Sequence, residues 1–93
     1  MSADRKTILV LARRDHAEAM RVAAGLTIFG HRLRLVFMGR VVEETPENMA
    51  MAELLALSDI APETTVAKQE GLPRLDAAGL AAALSGAEMV LSL

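Results

Sequence analysis

The segment Thr7-Ile8-Leu9-Val10-Leu11-Ala12-Arg13-Arg14-Asp15-His16 joins two structural signals within ten residues. Ile8 to Leu11 is a continuous apolar, partly β-branched run bounded by charge, which predicts a strand over residues 7–13. Because the run does not alternate with polar residues, the strand is expected to be covered on both faces, as in parallel sheets. Asp15 then stands where a helix N-cap belongs, with Glu18 three residues later, a capping-box-like pair in which Asp replaces the usual Ser or Thr.

Helix one is expected from about residue 16 to 29. Ala19, Val22, Ala23, Leu26 and Phe29 follow helical spacing and form the expected sheet-facing stripe. Ala17, Met20, Ala24 and Ile28 add a second apolar flank, so this helix wants cover on more than one side. Gly30 suits the left-handed position that stops it, and His31 is expected as a C-terminal capping cation. Residues 33–38 form the second strand, less buried near its start at Arg34 and ended by Gly39-Arg40. A strand, helix, strand unit this compact implies a right-handed parallel crossover.

Thr45 and Pro46 open helix two, with Met49, Ala50, Leu54 and Leu57 as its apolar spacing up to Ser58-Asp59 and Pro62 as a stop. A third strand is expected over residues 64–68, a turn at Gly71 and Pro73, and a short third helix capped by Asp76 and carrying Leu80 and Leu84. Ser85-Gly86 ends it, and residues 89–93 make a fourth strand. The order βαβαβαβ predicts an α/β fold: one domain over residues 1–93, a three-layer α/β/α arrangement around a small, open, mostly parallel sheet of four to five strands. Ligands in that architecture sit at the carboxyl ends of the strands. Three helices with broad apolar surfaces exceed what so small a sheet can cover, which predicts an oligomer.

Composition closes several classes. The 93 residues include no cysteine, so the chain supplies no disulfide, thiolate metal site or cysteine nucleophile. Residues 1–40 carry eight Lys and Arg against three Asp and Glu, residues 41–93 carry two against nine, and these halves of +5 and −7 give the net charge of −2. The basic residues are spread over several elements and aromatics are almost absent, which argues against nucleic-acid binding and for surfaces that steer or pair subunits. The apolar run 8–12 is too short for a signal-peptide core, and the charge-free stretch 77–87 is too short to span a bilayer. A cytoplasmic protein without membrane contact is expected. No G-x-G-x-x-G or G-x-x-x-x-G-K-[ST] motif is present, two distant histidines do not suggest a metal site, and no cofactor is implied.

Candidate ligand positions follow from the strand ends. Arg13, Arg14, Asp15 and His16 close the first strand directly before a helix N-terminus, where free amides, the helix dipole and two guanidinium groups favour a small anion. The competing reading pairs Arg13 and Arg14 with Glu18, Glu43, Glu44 or a neighbouring subunit. Gly39 and Arg40 after the second strand, and Lys68 after the third, complete the set. His16 in the first helical turn should be neutral, but a catalytic role needs a partner such as Asp15, Ser92 or Glu70 brought from elsewhere. No catalytic residue is assigned.

With the elements placed, the whole chain resembles the DsrE/DsrF/DsrH superfamily, which includes the TusB, TusC and TusD sulfur-relay subunits. The resemblance is carried by Lys6-Thr7-Ile8-Leu9-Val10-Leu11, by Ala19-Met20-Arg21-Val22-Ala23-Ala24-Gly25-Leu26 leading to Gly30-His31, and by Leu33-Arg34-Leu35-Val36-Phe37-Met38-Gly39-Arg40-Val41-Val42. The tail Gly86-Ala87-Glu88-Met89-Val90-Leu91 is similar to the family's closing helix and strand. The resemblance implies a small cytoplasmic α/β/α subunit that forms trimers or hexamers with itself or related subunits and meets a sulfur-carrier protein. Sulfur-carrying members hold a persulfide on a cysteine just after the third strand, near Ala67-Lys68 here, and this chain has none. The implied function is therefore a non-catalytic, oligomeric scaffold or small-anion and partner-binding module associated with intracellular sulfur transfer. The alternative is a small enzyme that uses Arg13, Arg14 and His16 on an anionic substrate without covalent catalysis.

Overall fold

The computed structural model describes residues 6–93, which run β1 (Thr7–Ala12), α1 (His16–Ile28), β2 (Arg32–Phe37), α2 (Pro46–Leu57), β3 (Glu63–Thr64), α3 (Ala77–Gly86) and β4 (Met89–Ser92). The strands form one parallel sheet in the order β3-β2-β1-β4, so the chain has the expected α/β architecture with four strands. Successive residues of a strand point to opposite faces, and β1 uses both. Ile8, Val10 and Ala12 join a core with Met20 and Ala23 of α1 and Leu55 of α2, whereas Leu9 and Leu11 meet Leu80 and Ala83 of α3 on the other side. That two-sided demand explains the unbroken apolar run.

Asp15 caps α1, its Oδ1 accepting the Glu18 N–H at 3.0 Å. The reciprocal half of a capping box is absent, because the Glu18 carboxylate pairs with Arg21 and the Asp15 N–H goes to the Leu93 carbonyl. At the other end Gly30 takes φ +89°, the Gly30 N–H reaches the Thr27 carbonyl and the His31 N–H reaches that of Leu26, which is a Schellman stop. The His31 ring bonds away from the last carbonyls of α1, its Nδ1 accepting the Lys6 N–H at 3.1 Å.

Two expected faces are corrected. On α1 the fully buried residues include Ala19, Met20, Ala23 and Ala24, drawn from both apolar flanks, while Phe29 is the cap residue outside the helix and is exposed. On α2 the inward residues are Met51, Leu54 and Leu55, and Met49, Ala50 and Leu57 face outward. The helix is apolar on most sides, so spacing alone fits more than one stripe. What selects the buried one is a second Schellman turn, in which Asp59 takes φ 59° and the Ile60 N–H donates to the Leu55 carbonyl at 3.0 Å, turning Ile60 into the core.

β3 is two residues long, not the five expected over 64–68. The Thr64 hydroxyl accepts the Val66 N–H at 2.9 Å, a local bond that curls the chain out of the sheet. Residues 73–75 lie along the outer side of β3 instead, with the Thr64 N–H donating to Pro73 and the Leu75 N–H donating to Thr64. A forked Arg34–Glu63 pair, at 2.7 and 3.0 Å, ties β2 to β3 beside it.

Leu55 is 1% exposed and is the one fully buried anchor of α2. Leu55→Ala is expected to lower the unfolding free energy by about 2–5 kcal/mol, seen as a reduced urea midpoint with unchanged slope.

Candidate functional site

Connections through α1 and α2 carry the chain from β1 to β3, and α3 returns it to the far side of β1 on the opposite face. The carboxyl ends of β1 and β4 therefore flank the point where the winding reverses, the usual place for a ligand crevice. Here the chain fills it. The Leu93 carbonyl accepts the N–H groups of Arg13, Arg14 and Asp15 at 3.2, 2.8 and 3.4 Å. The amides expected to receive an anion thus serve a main-chain oxygen.

A cleft opens one strand over, between the N-termini of α1 and α2. Gly39, at φ +84°, turns the chain after β2 where a Cβ would stand 3.4 Å from the Arg13 carbonyl. The turn delivers Arg40, whose Nη2 donates to the Arg14 carbonyl at 2.7 Å. Asp15 and His16 from α1, Thr45 and Asn48 from α2, and Arg40 with Glu43 and Glu47 line a cavity of about 200 Å³. Thr45 caps α2 by accepting the Asn48 N–H at 3.0 Å, and the Asn48 side chain donates to the Glu43 carbonyl at 2.9 Å.

His16 is 3% exposed. Its Nε2–H donates to the Met38 carbonyl at 3.3 Å and its ring meets the Phe37 ring edge-on at 5.0 Å. Burial holds its pKa below the usual 6.5, against the Met38 hydrogen bond, with the Arg40 charge adding to the lowering. At neutral pH the ring is an uncharged donor that joins the start of α1 to the end of β2.

A larger groove of about 540 Å³ continues from Glu43 and Asn48, lined also by Glu44, Lys68 and Glu70. The Val42 N–H donates to the Gln69 side chain at 2.8 Å and ties its two walls together. Of the residues expected at the site, Asp15, His16 and Arg40 converge, Gly39 shapes the turn beside them, and Lys68 belongs to this second groove. Arg13 and Arg14 are exposed and line neither cavity, and Glu18, one of their expected partners, pairs with Arg21. Neither Ser92 nor Glu70 lines the His16 cleft. Thr45, Asn48 and Glu47 were legible in principle, since the Thr45-Pro46 helix start falls at the same sheet edge as Asp15.

Among the described residues no group of three or more His, Asp or Glu side chains is placed to hold a metal ion, and no helix is long and apolar enough to cross a membrane. Comparison with protein-family models, with curated proteins and with solved structures finds no match to this chain.

A histidine with a lowered folded-state pKa adds stability that is full above its unfolded value and is lost as pH falls toward the folded one. Unfolding free energy is therefore expected to drop as pH is lowered from 6.5, and His16→Gln should remove that slope in urea titrations at stepped pH. Gly39→Ala is expected to cost about 1–2 kcal/mol by the same measurement, because φ +84° strains any side chain.

Proposed function

We propose that this chain is a non-catalytic subunit of DsrE-like type that assembles with copies of itself, alone or alongside related subunits, and offers its strand-end groove to a partner in intracellular sulfur transfer. The observation that carries this reading is apolar surface left in water. Ile28, Phe29 and Leu57 are 77, 80 and 85% exposed. All three lie at the C-terminal ends of α1 and α2, and both helices start from the same edge of a parallel sheet and pack side by side. Large apolar side chains exposed at the ends of neighbouring helices suit cover by another chain. Burying the three is worth roughly 5–8 kcal/mol before the entropy of association.

The lack of any thiol fits a persulfide carried by a partner, and the His16 ring is buried with its Nε2–H engaged by the Met38 carbonyl. The groove's charge supports a partner with basic side chains over a small anion. Asp15, Glu43 and Glu47 outnumber Arg40 in the cleft, and Glu43, Glu44 and Glu70 outnumber Lys68 beyond it.

Sedimentation analysis at micromolar concentration is expected to show an oligomer that Leu57→Asp and Phe29→Asp reduce to smaller, folded species. A folded wild-type monomer would end the assembly reading. Thermal unfolding is expected to be indifferent to millimolar sulfate or thiosulfate, and a rise abolished by Arg40→Ala would restore the small-anion role.

A further inference from the structure

The two edges of the sheet are finished differently. β3 is two residues long, has residues 73–75 bonded along it, and sits beside the Arg34–Glu63 ion pair. Among the described residues β4 pairs with β1 alone, and its four residues include no proline and no charge. Open edges of soluble proteins ordinarily contain such protection. From residue 77 to 93 the one charged side chain is Glu88, and its Oε1 is engaged by the Thr7 N–H at 3.0 Å.

The direction of the free main-chain groups is set by the bonds already made. The Leu93 N–H donates to the Leu11 carbonyl at 2.9 Å, so by alternation Leu91 also faces β1. Val90 and Ser92 then turn their N–H and C=O groups outward. An extended backbone is the occupant those groups require.

We propose that β4 pairs antiparallel with β4 of a second copy, about a two-fold axis at Leu91, to make one continuous sheet. In this register Val90 of each chain stands opposite Ser92 of the other, and each such pair exchanges both its N–H···O=C bonds, using every outward group of the strand. On the face shared with α1 and α2, Leu91 meets Leu91 of the second copy. On the α3 face, Val90, 41% exposed in the single chain, is covered by the second copy.

The second copy fits because a two-fold contact brings each residue near its own counterpart, where any charge would meet its like. β4 itself has no charged side chain to oppose, and for the same reason gives a foreign basic or acidic segment nothing to recognise. This inference rests on the assembly reading but uses a different surface from Ile28, Phe29 and Leu57.

The test is particle mass together with amide hydrogen exchange, on the wild type and on Ser92→Pro. Proline at position 92 removes an outward donor and leaves the bonds to β1 in place. The wild type is expected to show slow exchange at Val90 and Ser92 that becomes fast on dilution, and Ser92→Pro to halve the particle mass and free the Val90 amide. Should Ser92→Pro fail to fold, Val90→Lys at the exposed edge carries the same expected loss of mass. An oligomer of unchanged mass in the folded variant, with fast exchange at Val90 and Ser92, would overturn the β4 contact while leaving assembly through α1 and α2 standing. A wild-type monomer at micromolar concentration would overturn both.

Discussion

The two-sided burial of β1 is the constraint on which the molecule depends. Five of its six residues are buried, and because Ile8 and Val10 point one way and Leu9 and Leu11 the other, neither helical layer can be absent. β2 repeats the arrangement on a smaller scale, with Leu35 and Phe37 toward α1 and α2 and Val36 toward α3. The register that pairs Val10 with Leu35 and with Leu91 then places the carboxyl ends of β1, β2 and β4 at one edge. The His16 cleft, the Gly39 turn and the Arg13–Asp15 amides all lie there as a consequence.

The same constraint explains what is left exposed. Two central strands offer little area, and α1 takes most of it with small residues that let the helix lie close. α2 and α3 bury one residue each, Leu55 and Ala83, although both are predominantly apolar. At this length a single core buries a modest share of the chain's surface, so helix faces and an uncharged edge strand are left uncovered in the single chain. The two surfaces are independent: one lies at the C-terminal ends of α1 and α2, the other along β4.

Much of this was legible in the residues. The continuous run in β1, the Asp15, Thr45 and Asp76 caps and the Gly30 stop each depend on neighbours a few positions away, and such local signals gave the element order and the parallel sheet. The failures involve distant partners or competing local bonds. The Thr64 hydroxyl captured the Val66 amide and ended β3 early. The buried stripe of α2 was ambiguous until Ile60 docked. At the site, position at a strand end was informative for residues 15, 16 and 40, whereas Arg13 and Arg14 share that position but leave their side chains exposed outside both cavities. No sequence signal reveals that the Leu93 carbonyl occupies their amides, since that bond spans almost the whole chain.

Small-angle scattering of the purified chain at micromolar concentration tests most directly whether the exposed apolar surface is covered by another copy. The isolated chain has a Cα radius of gyration of 12.7 Å. The account predicts a particle of about 16 Å or more, the value compactness gives for a doubled chain. A monodisperse particle with the dimensions of the single chain would contradict it.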